Sequence, residues 1–276
     1  MANRERSQMM SAVVVVVRGV GDIGSAIAHR LFRDGCAVAM HDDSTPTTTR
    51  RGMAFADAVF DGRVSLEDVE AVRATEFSRV KDLLATRQCV PVYVGALDQL
   101  LRGVRPAVLV DARMRKHSSS EIQRGLADFT VGLGPDLSAG LHADVVIETS
   151  WDDLGRIITT GASLPLFGQP RAIEGHARDR YVYAPSAGVF HTKARIGDLV
   201  CRGDEVAKVG STILTAPLDG ALRGLTRDGV PVAVRTKVIE IDPRGAGASI
   251  TGIAERPRRI AEGVSTAIQT WKRGLE

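Results

Sequence analysis

Aromatic residues are scarce in this chain of 276 residues, at 4% of the total. So few planar side chains offer little of the stacking surface that holds single-stranded nucleic acid. Cysteine is also sparse: Cys36, Cys89 and Cys201 stand far apart in apolar surroundings. That spacing excludes a C-x-x-C redox pair or a zinc knuckle and fits reduced thiols in a cytosolic protein. No sign of charge dominates, since 36 Lys and Arg face 33 Asp and Glu, a net charge of +3 that is too small for a general nucleic-acid or membrane surface. The histidines, His29, His41, His117, His142, His176 and His191, show no H-x-x-H or H-x-x-x-H spacing, so no histidine-built metal site is signalled. No G-x-S-x-G elbow nominates a serine nucleophile. Long apolar runs are missing too. The run ending at Val17, with Arg4 and Arg6 ahead of it, could pass for a secretory signal, but it is too short to span a bilayer and leads into glycines suited to a strand exit. A cytoplasmic protein touching neither nucleic acid nor membrane is expected.

What the sequence does contain, up to about Ser150, is short β-branched runs alternating with helix-like stretches. Strands are predicted at Ala12–Val17, Ala37–His41, Val90–Val94, Ala107–Val110 and Val145–Ile147. Ile27, Leu31 and Phe32 recur at helical spacing before Gly35, and Phe77, Val80, Leu83 and Leu84 do so within Glu76–Thr86. After Ser163 the stretch "LPLFGQPRAIEGHARDR" reads as a connection. Beyond it lies a repeat: Ala184, Gly188, Gly197, Val200, Val206 and Val209 match Ala216, Gly220, Gly229, Val232, Val238 and Ile241, each pair 32 residues apart. One such unit cannot bury its own apolar face, so two copies should clasp around a shared core. In the tail, Ile260, Val264, Ile268 and Trp271 line one face of a helix entered at Pro257.

The repeat resembles the flattened barrel of biotinyl and lipoyl domains. Its joining stretch, "KVGSTILTAP", has no E-A-M-K-M or D-K-A signature, and Lys208 precedes the turn at Gly210-Ser211, so the carrier lysine is missing. The fold class expected is therefore α/β: a Rossmann-like parallel sheet over 1–163, a connection over 164–180, a barrel-sandwich hybrid over 181–245, and a helix within 246–276 packing back on the first domain.

"VVVVVRGVGDIG", Val13 to Gly24, combines a strand with G-x-G-x-x-G and the start of a helix. Gly19 would make the tight turn, Gly21 would admit a pyrophosphate, and Gly24 would let helix pack on sheet. The helix start offers free N–H groups and positive partial charge. Asp42, at the end of the second strand, could accept ribose hydroxyls. Asp22 opposes this reading, because a carboxylate in the first turn satisfies the helix dipole itself and repels an arriving phosphate. A dinucleotide turn and a purely structural turn both remain open.

Loops at the same sheet edge carry further candidates. Arg113, Arg115 and Lys116 follow the fourth predicted strand in "DARMRKHSSSE", and Arg50 lies in "TPTTTRR". Each could meet an anion outside the carboxyl ends of the strands, or belong to a solvated loop. Gly132 and Gly134, in "VGLGPDLSAG", could admit a ligand or merely a close crossing; Glu148 and Thr149 face the same choice.

With these segments placed, "RGVGDIGSAIAHRL", "PTTTRRGMAFADAVFDG", "VGLGPDLSAG", "VVIET", "IGDLVCRGDEVA" and "GLTRDGVPVAVRTKVIEIDPRG" together resemble the selenium-dependent molybdenum hydroxylase system proteins, related in role to xanthine dehydrogenase accessory factors. That resemblance implies molybdenum hydroxylase maturation, with a molybdopterin-type cofactor, NAD(P) or another small phosphate-bearing ligand bound through Gly19, Gly21, Asp22, Gly24, Asp42, Arg50, Arg113, Gly132 and Gly134. A molybdenum hydroxylase apoenzyme and a second copy of the chain are the expected partners. An NAD(P)-dependent oxidoreductase and a ligand-free scaffold are the alternatives, and no catalytic residue is nominated.

Overall fold

The computed structural model describes residues 13–115, 121–166 and 170–275. The segment Met1 to Ser11, Lys116 and His117 lie outside them. The valine run forms β1 (Val14–Arg18) at the centre of a sheet, where a strand covered on both faces can be apolar throughout. Val15 and Val17 face a core beneath α1 (Asp22–Arg33) and α5 (Glu255–Arg273), while Val16 faces a second core on the opposite side with Val80, Tyr93 and Leu100. The remaining strands of this sheet are β2 (Ala37–His41), β3 (Arg63–Leu66), β4 (Val69–Ala74), β5 (Val90–Tyr93), β6 (Val108–Asp111), β7 (Phe129–Leu133), β8 (Val145–Ile147) and β9 (Ile157–Ile158). They align in the order β3-β4-β5-β2-β1-β6-β7-β8-β9, with β3 and β9 antiparallel to their neighbours. Helices α2 (Ala58–Asp61), α3 (Phe77–Thr86) and α4 (Leu97–Val104) lie between the strands of one half.

Between β6 and β7, and between β7 and β8, no helix occurs among the described residues. The C-terminal α5 covers that half instead. It packs against α1 and β7 to β9, and Trp271 stacks on Phe129 with ring centroids 5.2 Å apart. The crossing needs bare backbone: a Cβ on Gly263 would lie 2.2 Å from the Gly155 carbonyl oxygen.

The second half contains β10 (Tyr181–Tyr183), β11 (Gly188–His191), β12 (Leu199–Val200), β13 (Glu205–Val209), β14 (Thr212–Thr215), β15 (Gly220–Leu225), β16 (Pro231–Val232) and β17 (Lys237–Asp242). β15, β16 and β17 begin 32 residues after β11, β12 and β13, as the repeat dictates. The two sheets run β10-β17-β15-β12 and β14-β13-β11-β16, so each copy lends its short middle strand to the other. Phe190, Val209, Leu222, Leu225, Ile239 and Ile241 fill the space between them.

The fold class expected from sequence is thereby corrected. In place of a Rossmann-like parallel domain followed by a biotinyl- or lipoyl-type hybrid barrel, the chain has a nine-stranded mixed sheet and two antiparallel four-stranded sheets. The physical reasons are local. The β3-β4 hairpin and β9 close the edges antiparallel, and one face of the β10-β17-β15-β12 sheet is charged and buried against the first half, through Glu240 and Arg50.

Candidate functional site

The glycine turn is occupied by the chain's own carboxylates. Gly19 has a left-handed backbone at φ +104°, and a Cβ on Gly24 would lie 2.0 Å from the Gly19 carbonyl oxygen, so both glycines serve strand-to-helix packing. Gly21 meets nothing closer than Thr48 Oγ1 at 3.9 Å. Asp42 Oδ2 accepts the Val20 N–H at 2.8 Å, and Asp22 Oδ1 accepts the Ile23 N–H at 3.1 Å. Burial pushes the Asp42 carboxyl above its usual range, partly offset by the N–H groups it accepts. These carboxylates take amides that a pyrophosphate at this turn would use.

Other expected site residues separate into three places. Arg113 is held by Asp111, with Nε to Oδ1 at 2.8 Å, and by Glu121, with Nη2 to Oε2 at 2.8 Å. The Arg113 bond, followed by one from Arg18, holds Glu121 down to about 2. Gly132 lies within β7, where a Cβ would come 3.2 Å from Leu137 Cδ1, and Gly134 follows at φ +139°. Glu148 is buried and accepts the N–H groups of Thr149, Ser150 and Leu164, so it organises its own loop.

Arg50 goes elsewhere, to a junction between the two halves. Its Nη1 donates to Asp22 Oδ2 at 3.1 Å, while Nε and Nη2 grip both oxygens of Glu240 at 2.9 Å. Glu240 also accepts Arg180 Nη1 at 2.6 Å and Lys237 Nζ at 3.0 Å. Tyr181 lies between cations: the Arg180 guanidinium sits 4.4 Å and the Lys237 ammonium 4.6 Å from its ring centroid, and its hydroxyl accepts Arg180 Nη2 at 2.7 Å. Arg256, from the first turn of α5, donates to the Thr149 carbonyl at 2.8 Å.

Burial opposes the charge on Glu240, but Lys237, Arg50 and Arg180 outweigh it and hold the carboxyl well below its ordinary range. Burial likewise opposes the charge on Arg50, and Glu240 and Asp22 more than restore it. For Lys237 and Arg256 burial prevails and the pKa falls; for Tyr181 burial, then Glu240, raises it. Perturbed groups converging at one junction are a feature that binding sites for charged molecules share with structural ion-pair networks.

Sequence reasoning placed Asp22 and Arg50 but missed Arg180, Tyr181, Lys237, Glu240 and Arg256. A signal existed in the repeat: Glu240 stands where the first copy has Lys208, and Lys237 where it has Glu205. Both charges reverse between the copies, although the folds of the two are alike.

No family model matches the chain. It is 38% identical over 258 residues to the uncharacterized protein YqeB of Escherichia coli (strain K12), an alignment covering 92% of this chain and 47% of that protein. The chain thus spans about half the length of the curated relative it matches. Among solved structures, the product-bound ectoine utilization protein EutE (DoeB) from Ruegeria pomeroyi shares 16% identity at a TM-score of 0.24, over 83% of this chain and 85% of that one. A succinylglutamate desuccinylase from Silicibacter sp. TM1040 shares 13% identity at a TM-score of 0.25, over 83% and 84%. Likeness this weak carries no argument about activity. The resemblance to molybdenum hydroxylase accessory proteins is corrected: no family model matches the chain and the curated relative is uncharacterized, so nothing in the comparisons indicates that family. With it go the maturation role, the molybdopterin-type cofactor and the NAD(P)-dependent alternative, for which the carboxylate-filled turn offers no support. Among the described residues, no helix is long and apolar enough to cross a membrane, and no group of three or more His, Cys, Asp or Glu is arranged to hold a metal ion.

Proposed function

We propose that the chain binds a small anionic molecule of the carboxylate or phosphate class at the junction between the carboxyl edge of the nine-stranded sheet and the β10-β17-β15-β12 sheet. One observation carries the reading: among the described residues, the four cations Arg50, Arg180, Lys237 and Arg256 converge there with the three carboxylates Asp22, Glu240 and Glu148. Positive charge in excess, partly withdrawn from water, favours an incoming anion, and guanidinium groups match carboxylate and phosphate oxygens geometrically. The ligand contacts these side chains, not the turn amides already taken by Asp22 and Asp42. Lys237 and Asp22 keep 30% and 27% of their side-chain surface exposed, so the junction is reachable from solvent at these two side chains.

Isothermal titration of the whole chain with inorganic phosphate and with malonate, at fixed ionic strength, tests this. Saturable binding of at least one is expected, and Arg256→Ala or Lys237→Ala should weaken it about tenfold or more, the scale of one charge-assisted hydrogen bond. No saturable heat with either probe would refute the proposal.

A further inference from the structure

Among the described residues, the three sheets end in the edge strands β3, β9, β10, β12, β14 and β16. β9, β12 and β16 are two residues long, β10 pairs irregularly between Val182 and Tyr183, and β3 carries Arg63, which reaches Glu70. Shortness, bulges and charge are the devices by which an edge resists pairing with another chain. β14 has none of them. It reads Thr-Ile-Leu-Thr, without charge or proline, and the irregularity in its ladder falls on β13, between Glu205 and Ala207. Ile213 is 53% exposed on it, and its β-branched residues favour extended pairing.

The hairpin decides which way the free backbone groups point. Val209 pairs with Thr212 across Gly210-Ser211, and Gly210 has φ +58°, as the first position of a type II′ turn requires. Val209 and Thr212 are then the pair that exchanges N–H···O bonds, so Ile213 turns its N–H and C=O away from β13. Leu214 is buried between the sheets, which leaves the Ile213 side chain on the outer face beside Lys208. We propose that β14 pairs antiparallel with β14 of a second copy of this chain, about a two-fold axis at Ile213, to make one continuous sheet across the dimer. A strand paired with itself needs no partner sequence other than its own. The exposed apolar residue sets the register: centred on Ile213, the two isoleucines oppose one another and exchange both backbone bonds. Lys208 and its copy stand three strand spacings apart, about 14 Å, beyond the screening length of about 8 Å at physiological salt, so their like charge does not oppose the contact. An edge this short makes a small interface and a reversible dimer. Two-fold pairing uses both edges and stops there.

Sedimentation equilibrium of the whole chain from about 10 µM to about 1 mM reads this out. The weight-average mass should climb toward twice that of one chain and no further. Ile213→Lys puts charge at the axis, and Ile213→Pro removes the outward N–H without touching a bond to β13. Each should hold the mass at one chain throughout, with melting in dilute solution that matches the parent. Leu199→Lys, at a residue 65% exposed on β12, should associate as the parent does. In a Cys201→Ser background, Ile213→Cys should oxidise to a covalent dimer and Thr215→Cys should not, because Thr215 and its copy are displaced by about 14 Å along the strand. A mass independent of concentration overturns the proposal. So does association that survives Ile213→Lys, grows past the dimer, or is trapped by Thr215→Cys in place of Ile213→Cys. Anion binding at the junction is a separate question, since β14 contributes no group to it.

Discussion

Replacing Glu240 by Gln keeps the shape of the side chain and one acceptor oxygen but removes the charge on which the junction converges. In the parent this carboxylate is fully buried and accepts four donors, two from Arg50 and one each from Arg180 and Lys237. Arg50 retains Asp22 after the change, whereas Arg180 and Lys237 lose their carboxylate. Breaking a buried ion pair on one side costs about 3–5 kcal/mol, mostly as the penalty of stranded charge. At about 2–4 °C per kcal/mol for a protein of this size, melting should fall by roughly 6–20 °C. Urea denaturation gives the free energy, and the m-value reveals whether the two halves still unfold together. Acid supplies a second signature. The folded pKa of Glu240 lies below its unfolded value of 4.5, so its contribution is full above that pH and is lost as pH falls through the folded value. Glu240→Gln should therefore flatten the acid limb of the stability profile. A variant within about 1 kcal/mol of the parent, with an unchanged acid limb, would show that the cations around Glu240 are solvated enough to stand alone.

Other expectations follow from the same geometry. Gly24→Ala should destabilise by about 1–3 kcal/mol or prevent folding, because its Cβ meets a carbonyl oxygen at 2.0 Å, while Gly21→Ala should cost under about 1 kcal/mol, a contrast that urea melts resolve. Gly263→Ala should loosen α5 from the Gly155 loop and speed amide exchange along the helix. Burial lowers the pKa of His41 from 6.5, with the Gly95 carbonyl acting in the opposite sense, so stability should be full above pH 6.5 and decline as pH falls through the folded value; histidine NMR titration checks it.

Much of the fold is legible along the chain because it is local. The valine run from Val14 can only be a strand buried on both faces, and Ile27 and Leu31 put their apolar surface on one side of a helix. The repeat announced paired units at a constant offset. The antiparallel edges, β3 with β4 and β9 with β8, were not legible, since short mixed segments such as "RVSL" and "II" carry no strong period. The candidate site was harder still. Arg50 and Glu240 are 190 positions apart, and no spacing rule connects them.

The sequence alone therefore determined the central strands and the longer helices, where several glycines bend the backbone, and that two similar units share a core, because these depend on propensity and period within a few residues. Only the tertiary structure decided that Asp22 and Asp42 fill the turn, and that the charged face of the second copy is buried while its counterpart around His191 and Lys208 stays exposed. The physical reason is desolvation. A charge has the same identity on either copy, but its effect on stability and binding depends on which distant groups replace its water.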